Sequence, residues 1–150
     1  PLRTKADVKA MREGLKNGVI DIICTDHAPH HNDEKQREFD KAPFGILGLQ
    51  TLIPLTLNLV RDGVINLNKM VELTSLNPAK LLKLNDRGVI AEGYLADITI
   101  VDPDFEYLYD EKLNKSKSQN SPLLGKKLKG AAIKTIKSGR LVYDFPNVVA

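Results

Sequence analysis

The chain has 150 residues, 42% hydrophobic, 27% charged and 5% aromatic, with a net charge of +3 and one cysteine. It is of ordinary single-domain size, large enough to bury a core. Scattered basic residues and few aromatics exclude a nucleic-acid stacking surface, and a lone Cys24 excludes an internal disulfide framework and fits a reducing, cytoplasmic compartment.

Thr4 to Lys16 predicts an amphipathic helix, with Val8, Met11 and Leu15 at spacings of three and four. Thr4 with Asp7 three residues on resembles a capping box, and Gly18 is a stop signal. Val19 to Cys24 is apolar and β-branched, and predicts a short buried strand of the kind found in parallel sheets, with Cys24 as a small buried residue on it. Thr25 to Pro43 reads as a long polar loop, a type often functional. Residues 42–60 carry no charge, but Pro43 and Pro54 interrupt them and Gln50, Thr51, Thr56 and Asn58 lie inside, so no membrane span is expected. Ile46 to Arg61 is instead expected as a buried helix kinked at Pro54.

Asn68 to Ser75 predicts another helix, and Asn77-Pro78 a cap followed by proline at the first position of a short helix, Ala79 to Leu84. Asn85 to Gly88 is a turn cluster, after which the pattern favours strands: Ala96 to Asp102, and two strands within residues 131–145 joined at Ser138-Gly139. Glu111 to Ser121 is polar and irregular. Two blocks result, a helix–strand–helix part over residues 1–85 and a mostly β part over 86–150.

All three histidines lie in one run, Ile22-Ile23-Cys24-Thr25-Asp26-His27-Ala28-Pro29-His30-His31. In α/β sheets ligands bind beyond the carboxyl ends of the strands, which is where Asp26 falls. A carboxylate there suits metal ligation or general-base work. Pro29 fixes the backbone ahead of His30, which can donate to an anionic substrate or bind metal. The plain alternatives stay open: Asp26 as a turn residue, His27 as a packing or supporting residue, His31 as solvated. A catalytic zinc site needs about three protein ligands, and this run spells none of the standard zinc spacings.

The segments "TDHAPHH" and "KAPFGILGLQT" resemble dihydroorotase of the amidohydrolase superfamily, at the end of the eighth barrel strand and the loop after it. "PLRT", "ELTSLNPAKLLKL", "GVIAEGYLADITIVD", "SKSQNSPLLGKKLKG" and "IKSGRLVYDF" resemble further stretches of that family, so that the likeness covers essentially the whole chain. The fold implied is α/β: the C-terminal part of a TIM barrel over residues 1–85, and part of a small β-sandwich over 86–150.

The resemblance also implies roles. Asp26 corresponds to the aspartate that ligates the more buried Zn2+ and shuttles a proton between the bridging hydroxide and the ring amide nitrogen. His30 corresponds to the histidine that binds the substrate carboxylate. The backbone of Phe44 and Gly45 corresponds to the pair that lies against the substrate ring. The reaction implied is the reversible cyclisation of N-carbamoyl-L-aspartate to dihydroorotate, in pyrimidine biosynthesis. A complete member carries further histidines, a bridging carboxylate or carboxylated lysine, and a substrate-binding arginine and asparagine, none of which can be assigned here. The chain is therefore expected to be a C-terminal portion, a weak zinc binder inactive alone, and prone to self-association through open edges. Two alternatives stand beside this: another cyclic amidohydrolase, such as a hydantoinase or allantoinase, and a non-catalytic scaffold for aspartate transcarbamoylase.

Overall fold

A computed structural model describes residues 3–145. Pro1 and Leu2 of the "PLRT" segment lie outside the described residues. Helix α1 spans Lys5–Lys16 and begins as its sequence dictates: the Thr4 hydroxyl accepts the Asp7 N–H, and the Asp7 carboxylate accepts the Thr4 N–H at 2.9 Å. Its inner face contributes Leu15 to a core with Leu57, Ile65, Met70 and Leu73.

The segment 19–24 is not a strand in this structure, contrary to expectation, and Cys24 is exposed rather than buried. A strand needs a neighbour to complete its hydrogen-bond ladder, and none of the described residues pairs with this run. It is anchored differently. The Ile23 N–H donates to the carbonyl of Leu73 at 3.0 Å, and the Asn77 side-chain amide donates to the carbonyl of Asp21 at 2.8 Å.

The expected long loop contains one helical turn, α2 (Asn32–Lys35), capped by the His31 ring, whose Nδ1 accepts the Asp33 N–H. Helix α3 spans Leu52–Arg61 and starts six residues later than expected, because Leu47 to Thr51 turns back on itself. Pro54 therefore falls in the first turn, where its missing N–H has no intrahelical acceptor to lose, and no kink is required there. It is buried, as are Thr56 and Leu57, while Leu55 is exposed, so α3 is two-faced rather than buried all round.

Next come α4 (Leu67–Val71), a π-helical turn (Glu72–Leu76) and α5 (Asn77–Leu81), which run on without a break. Asn77 has helical dihedrals and is not the cap its sequence position predicts. The widened turn is the accommodation for Pro78. The Asn77 N–H reaches back five residues to Glu72, and Pro78 has no N–H for Leu73. The Leu73 carbonyl is left without a helical donor and receives the Ile23 N–H instead.

The rest is an antiparallel sheet in the order β1-β2-β3, with β1 at Ile98–Tyr109, β2 at Lys126–Lys137 and β3 at Arg140–Asp144. β1 continues seven residues past the expected Asp102 because a bulge carries it through Pro103: Asp102 pairs with Ala131 and Glu106 with Lys129. The turn at Ser138-Gly139 is as expected, with both residues at positive φ (48° and 77°), the backbone sense that matches strand twist. Helix α3 packs on β2, and no helix among the described residues is long and apolar enough to cross a membrane.

Candidate active site

Asp26 ends the extended run in a left-handed conformation, with φ 45°. Aspartate tolerates this better than most residues, though it stores strain. Just beyond Asp26, His27 pairs in parallel with Ile46, and the Ala28 N–H donates to the Ile46 carbonyl at 3.0 Å. The residues around Asp26 and those around Gly45 are thereby laid side by side.

Three contacts hold this pairing. Nδ1 of His27 accepts the Gly48 N–H at 3.0 Å and the Leu49 N–H at 3.4 Å, which makes His27 a fastener of the backbone. The Lys35 ammonium donates to the carbonyls of Pro43 at 2.8 Å and Gly45 at 3.1 Å. The third contact is made by Asn120, from the polar segment between β1 and β2. Its Nδ2 donates to the carbonyls of Ala28 (2.8 Å) and Gly45 (3.3 Å), and its Oδ1 accepts the His30 N–H (3.3 Å). Close approach requires glycine at two places. A Cβ on Gly45, at φ 113°, would stand 2.5 Å from the Ala28 Cβ and 3.4 Å from Nε2 of His30, and one on Gly48 would stand 2.7 Å from the Thr25 Cβ.

The result is an open cleft of about 620 Å³ lined by Thr25, Asp26, Lys35, Arg37, Phe44 and Gly45, among others. Of the residues singled out from sequence, Asp26, Phe44 and Gly45 share this cleft. His30 lines a neighbouring depression with Glu34, whose carboxylate lies 3.7 Å from the His30 Nδ1, and its Nε2 lies 3.4 Å from where a Cβ on Gly45 of the cleft would stand. Lys35, Arg37 and Asn120 were not singled out by sequence. Lys35, the last residue of α2, and the exposed Arg37 just beyond it are ordinary loop cations in sequence, and Asn120 is 90 residues from its partner His30.

The cleft joins one carboxylate to two cations and two exposed aromatic rings, Phe39 and Phe44, a constellation suited to an anionic small molecule with an apolar face and to proton transfer at Asp26. Among the described residues no group of three or more His, Cys, Asp or Glu side chains converges, and one ring nitrogen of His27 is already occupied. Catalytic zinc needs about three protein ligands, so these residues alone do not fit a complete zinc centre.

Residues 2–142 match the model of the Amidohydrolase family, and the chain belongs to that family. Its fold is α/β, that of the C-terminal part of an amidohydrolase TIM barrel with part of the adjoining small β-sandwich. Among its relatives, it is 51% identical to the dihydroorotase of Geobacter sp. (strain M21) over 144 residues, 96% of this chain and 34% of that protein. It is 49% identical to the dihydroorotase of Aquifex aeolicus (strain VF5) over 95% of this chain and 33% of that one. Among solved structures, dihydropyrimidinase from Brevibacillus agri NCHU1002 superposes with a TM-score of 0.86 at 30% identity, over 96% of this chain and 32% of that chain. The L-hydantoinase of Arthrobacter aurescens gives 0.84 at 32% identity, over 96% and 33%. The chain thus spans about a third of the length of the curated relatives it matches.

Proposed function

We propose that this chain is part of a dihydroorotase, and that its cleft is one wall of the active site for reversible cyclisation of N-carbamoyl-L-aspartate to dihydroorotate in pyrimidine biosynthesis. The observation that carries the reading is the contrast in likeness: 48–51% identity to dihydroorotases over nearly the whole chain, against 26–32% to hydantoinases and dihydropyrimidinases of the same fold. In this reading residues 1–85 belong to the barrel and 86–150 to the β-sandwich.

The roles follow the chemistry of each group. Asp26 takes up and returns the proton that the ring nitrogen needs when the amide bond breaks or forms. His30 donates to the substrate carboxylate. The backbone of Phe44 and Gly45 lies against the substrate ring. Zn2+, when bound, supplies an activated water and a polarised carbonyl. Asp26 is the ligand this chain would contribute, and the others would come from the remainder of a protein about three times as long. The isolated 150 residues are accordingly proposed to be inactive, to self-associate, and to work in the cytoplasm when part of the whole. Aspartate transcarbamoylase is a proposed partner.

The test is an assay of the protein expressed from its full reading frame against dihydroorotate, hydantoin and allantoin. Turnover of dihydroorotate that is lost in Asp26→Asn and on chelation supports the reading. Turnover of hydantoin or allantoin alone would replace it with the second reading, another cyclic amidohydrolase, which the hydantoinase-like superposition favours. Binding to aspartate transcarbamoylase with no turnover would indicate a scaffold.

A further inference from the structure

We propose that Asn120 is a positioning residue of this site: working with Lys35, it holds the Gly45 carbonyl and the His30 main chain in fixed register with Asp26. What is positioned rests on the reading above, whereas the clamp itself stands on geometry alone.

Asn120 does not line the cleft with Asp26. It acts from behind, on both walls together. Its side chain joins Ala28 and His30 on one segment to Gly45 on the other, and its own carbonyl accepts the Leu47 N–H at 3.1 Å. The amide has one workable orientation. Turned over, its oxygen would face two carbonyls and its NH2 would face the His30 N–H. Lys35 reaches the same Gly45 carbonyl, so two donors converge on one acceptor. Gly45 has a backbone only glycine adopts readily and a neighbour 2.5 Å from where its Cβ would be. Such a segment has few contacts of its own to fix it, and the two donors supply what packing does not.

Asparagine is required, not merely a polar residue. Aspartate keeps the acceptor for the His30 N–H but turns both donors into lone pairs facing carbonyls. Lys35→Met removes the other donor without touching Asn120.

The test has two arms. In this 150-residue chain, NMR hydrogen exchange is compared between wild type, Asn120→Asp, Asn120→Ala and Lys35→Met. We expect the His30 and Leu47 amides to exchange at least about tenfold faster in both Asn120 variants, while amides of β2 keep their protection. Lys35→Met, at the end of α2 and outside the hydrophobic core, should quicken Ala28, whose partner Ile46 follows Gly45. In the protein from the full reading frame, KM for dihydroorotate should rise about tenfold in Asn120→Asp as kcat falls, because a displaced His30 loses a charge-assisted hydrogen bond to substrate. A merely structural lesion lowers apparent kcat by the misfolded fraction and leaves KM alone. Unchanged exchange in the Asn120 variants would overturn the clamp, and faster exchange with wild-type KM would overturn its positioning role. If wild type fails to turn over dihydroorotate, the functional reading fails, and the exchange arm still decides the clamp.

Discussion

Leu57 of α3 occupies the space a side chain at Gly130 would need: a Cβ there would stand 2.2 Å from the leucine Cδ1. Gly130 also has φ 89° and opposes the bulge at Pro103 to Phe105 in β1. The glycine thus lets β2 seat against the helix that leads away from the cleft. Gly130→Ala should cost about 1–3 kcal/mol for the forced backbone and a similar amount for overpacking against a residue that is 1% exposed. Urea unfolding followed by far-UV circular dichroism measures it. A loss under 1 kcal/mol would mean that helix and sheet separate easily.

Asp26 carries its strain in the service of the cleft, not of the fold. Asp26→Gly and Asp26→Ala both delete the carboxylate, but only glycine relaxes at φ 45°. The glycine variant should therefore be the more stable of the two by about 1 kcal/mol. Equal stabilities would show that the turn does not hold this backbone in solution.

Tyr107 has its phenol pushed up to about 12, first by burial and then by the neighbouring Tyr143 and Tyr109. A raised phenol stabilises the fold below its unfolded value of 10.0, and that contribution is lost as pH rises through the folded value. Tyrosinate absorbance at 295 nm should show a late-titrating component that shrinks in Tyr107→Phe, the rest coming from Tyr109 and Tyr143, whose phenols burial also raises, with the sheet loosening between about pH 10 and 12. Its ring also meets Phe145 edge to face with centroids 5.3 Å apart.

Asp97 behaves in the opposite sense. Its carboxyl is held below the ordinary 3.8 chiefly by the Lys137 side chain and the Ser138 N–H, with Arg87 adding to it. A depressed carboxyl stabilises above its unfolded value, and the effect disappears as pH falls through the folded one. The hairpin turn it braces, through Ser138 at 2.8 Å, should loosen below pH 3.8. Asp97→Asn should flatten that acid limb in a series of thermal melts from pH 2 to 6, and 1 M salt should weaken it in the wild type.

What the sequence disclosed was local chemistry. Thr4 with Asp7, and Ser138 with Gly139, each specify a structure within four residues, and both are where their side chains and backbone preferences put them. The run Val19 to Cys24 has strand composition, but a ladder belongs to two segments and composition describes one. Pro54 reads as a kink and Pro78 as the start of a separate short helix, yet Pro54 sits in a first turn and Pro78 follows a widened turn inside one continuous helical run, because an isolated proline signal does not say whether the chain before it ends or adapts. At the site, a common role for Asp26, Phe44 and Gly45 is implied by the family resemblance of their two separate segments. Asn120 carried no such sign, since a hydrogen bond spanning 90 residues leaves no mark on either end.

The bond from Ile23 to Leu73 makes a proline ring a remote tether. Replacing Pro78 by alanine would let the turn tighten into a regular helix, in which the new N–H at position 78 donates to Thr74 and the Asn77 N–H moves from Glu72 to Leu73. The stretch leading to Asp26 would then lose one of its two anchors to an improvement elsewhere, keeping only the Asn77 amide on Asp21. Such a variant would melt at nearly the same temperature while its Ile23 amide lost protection, a case in which a better helix makes a worse approach to the cleft.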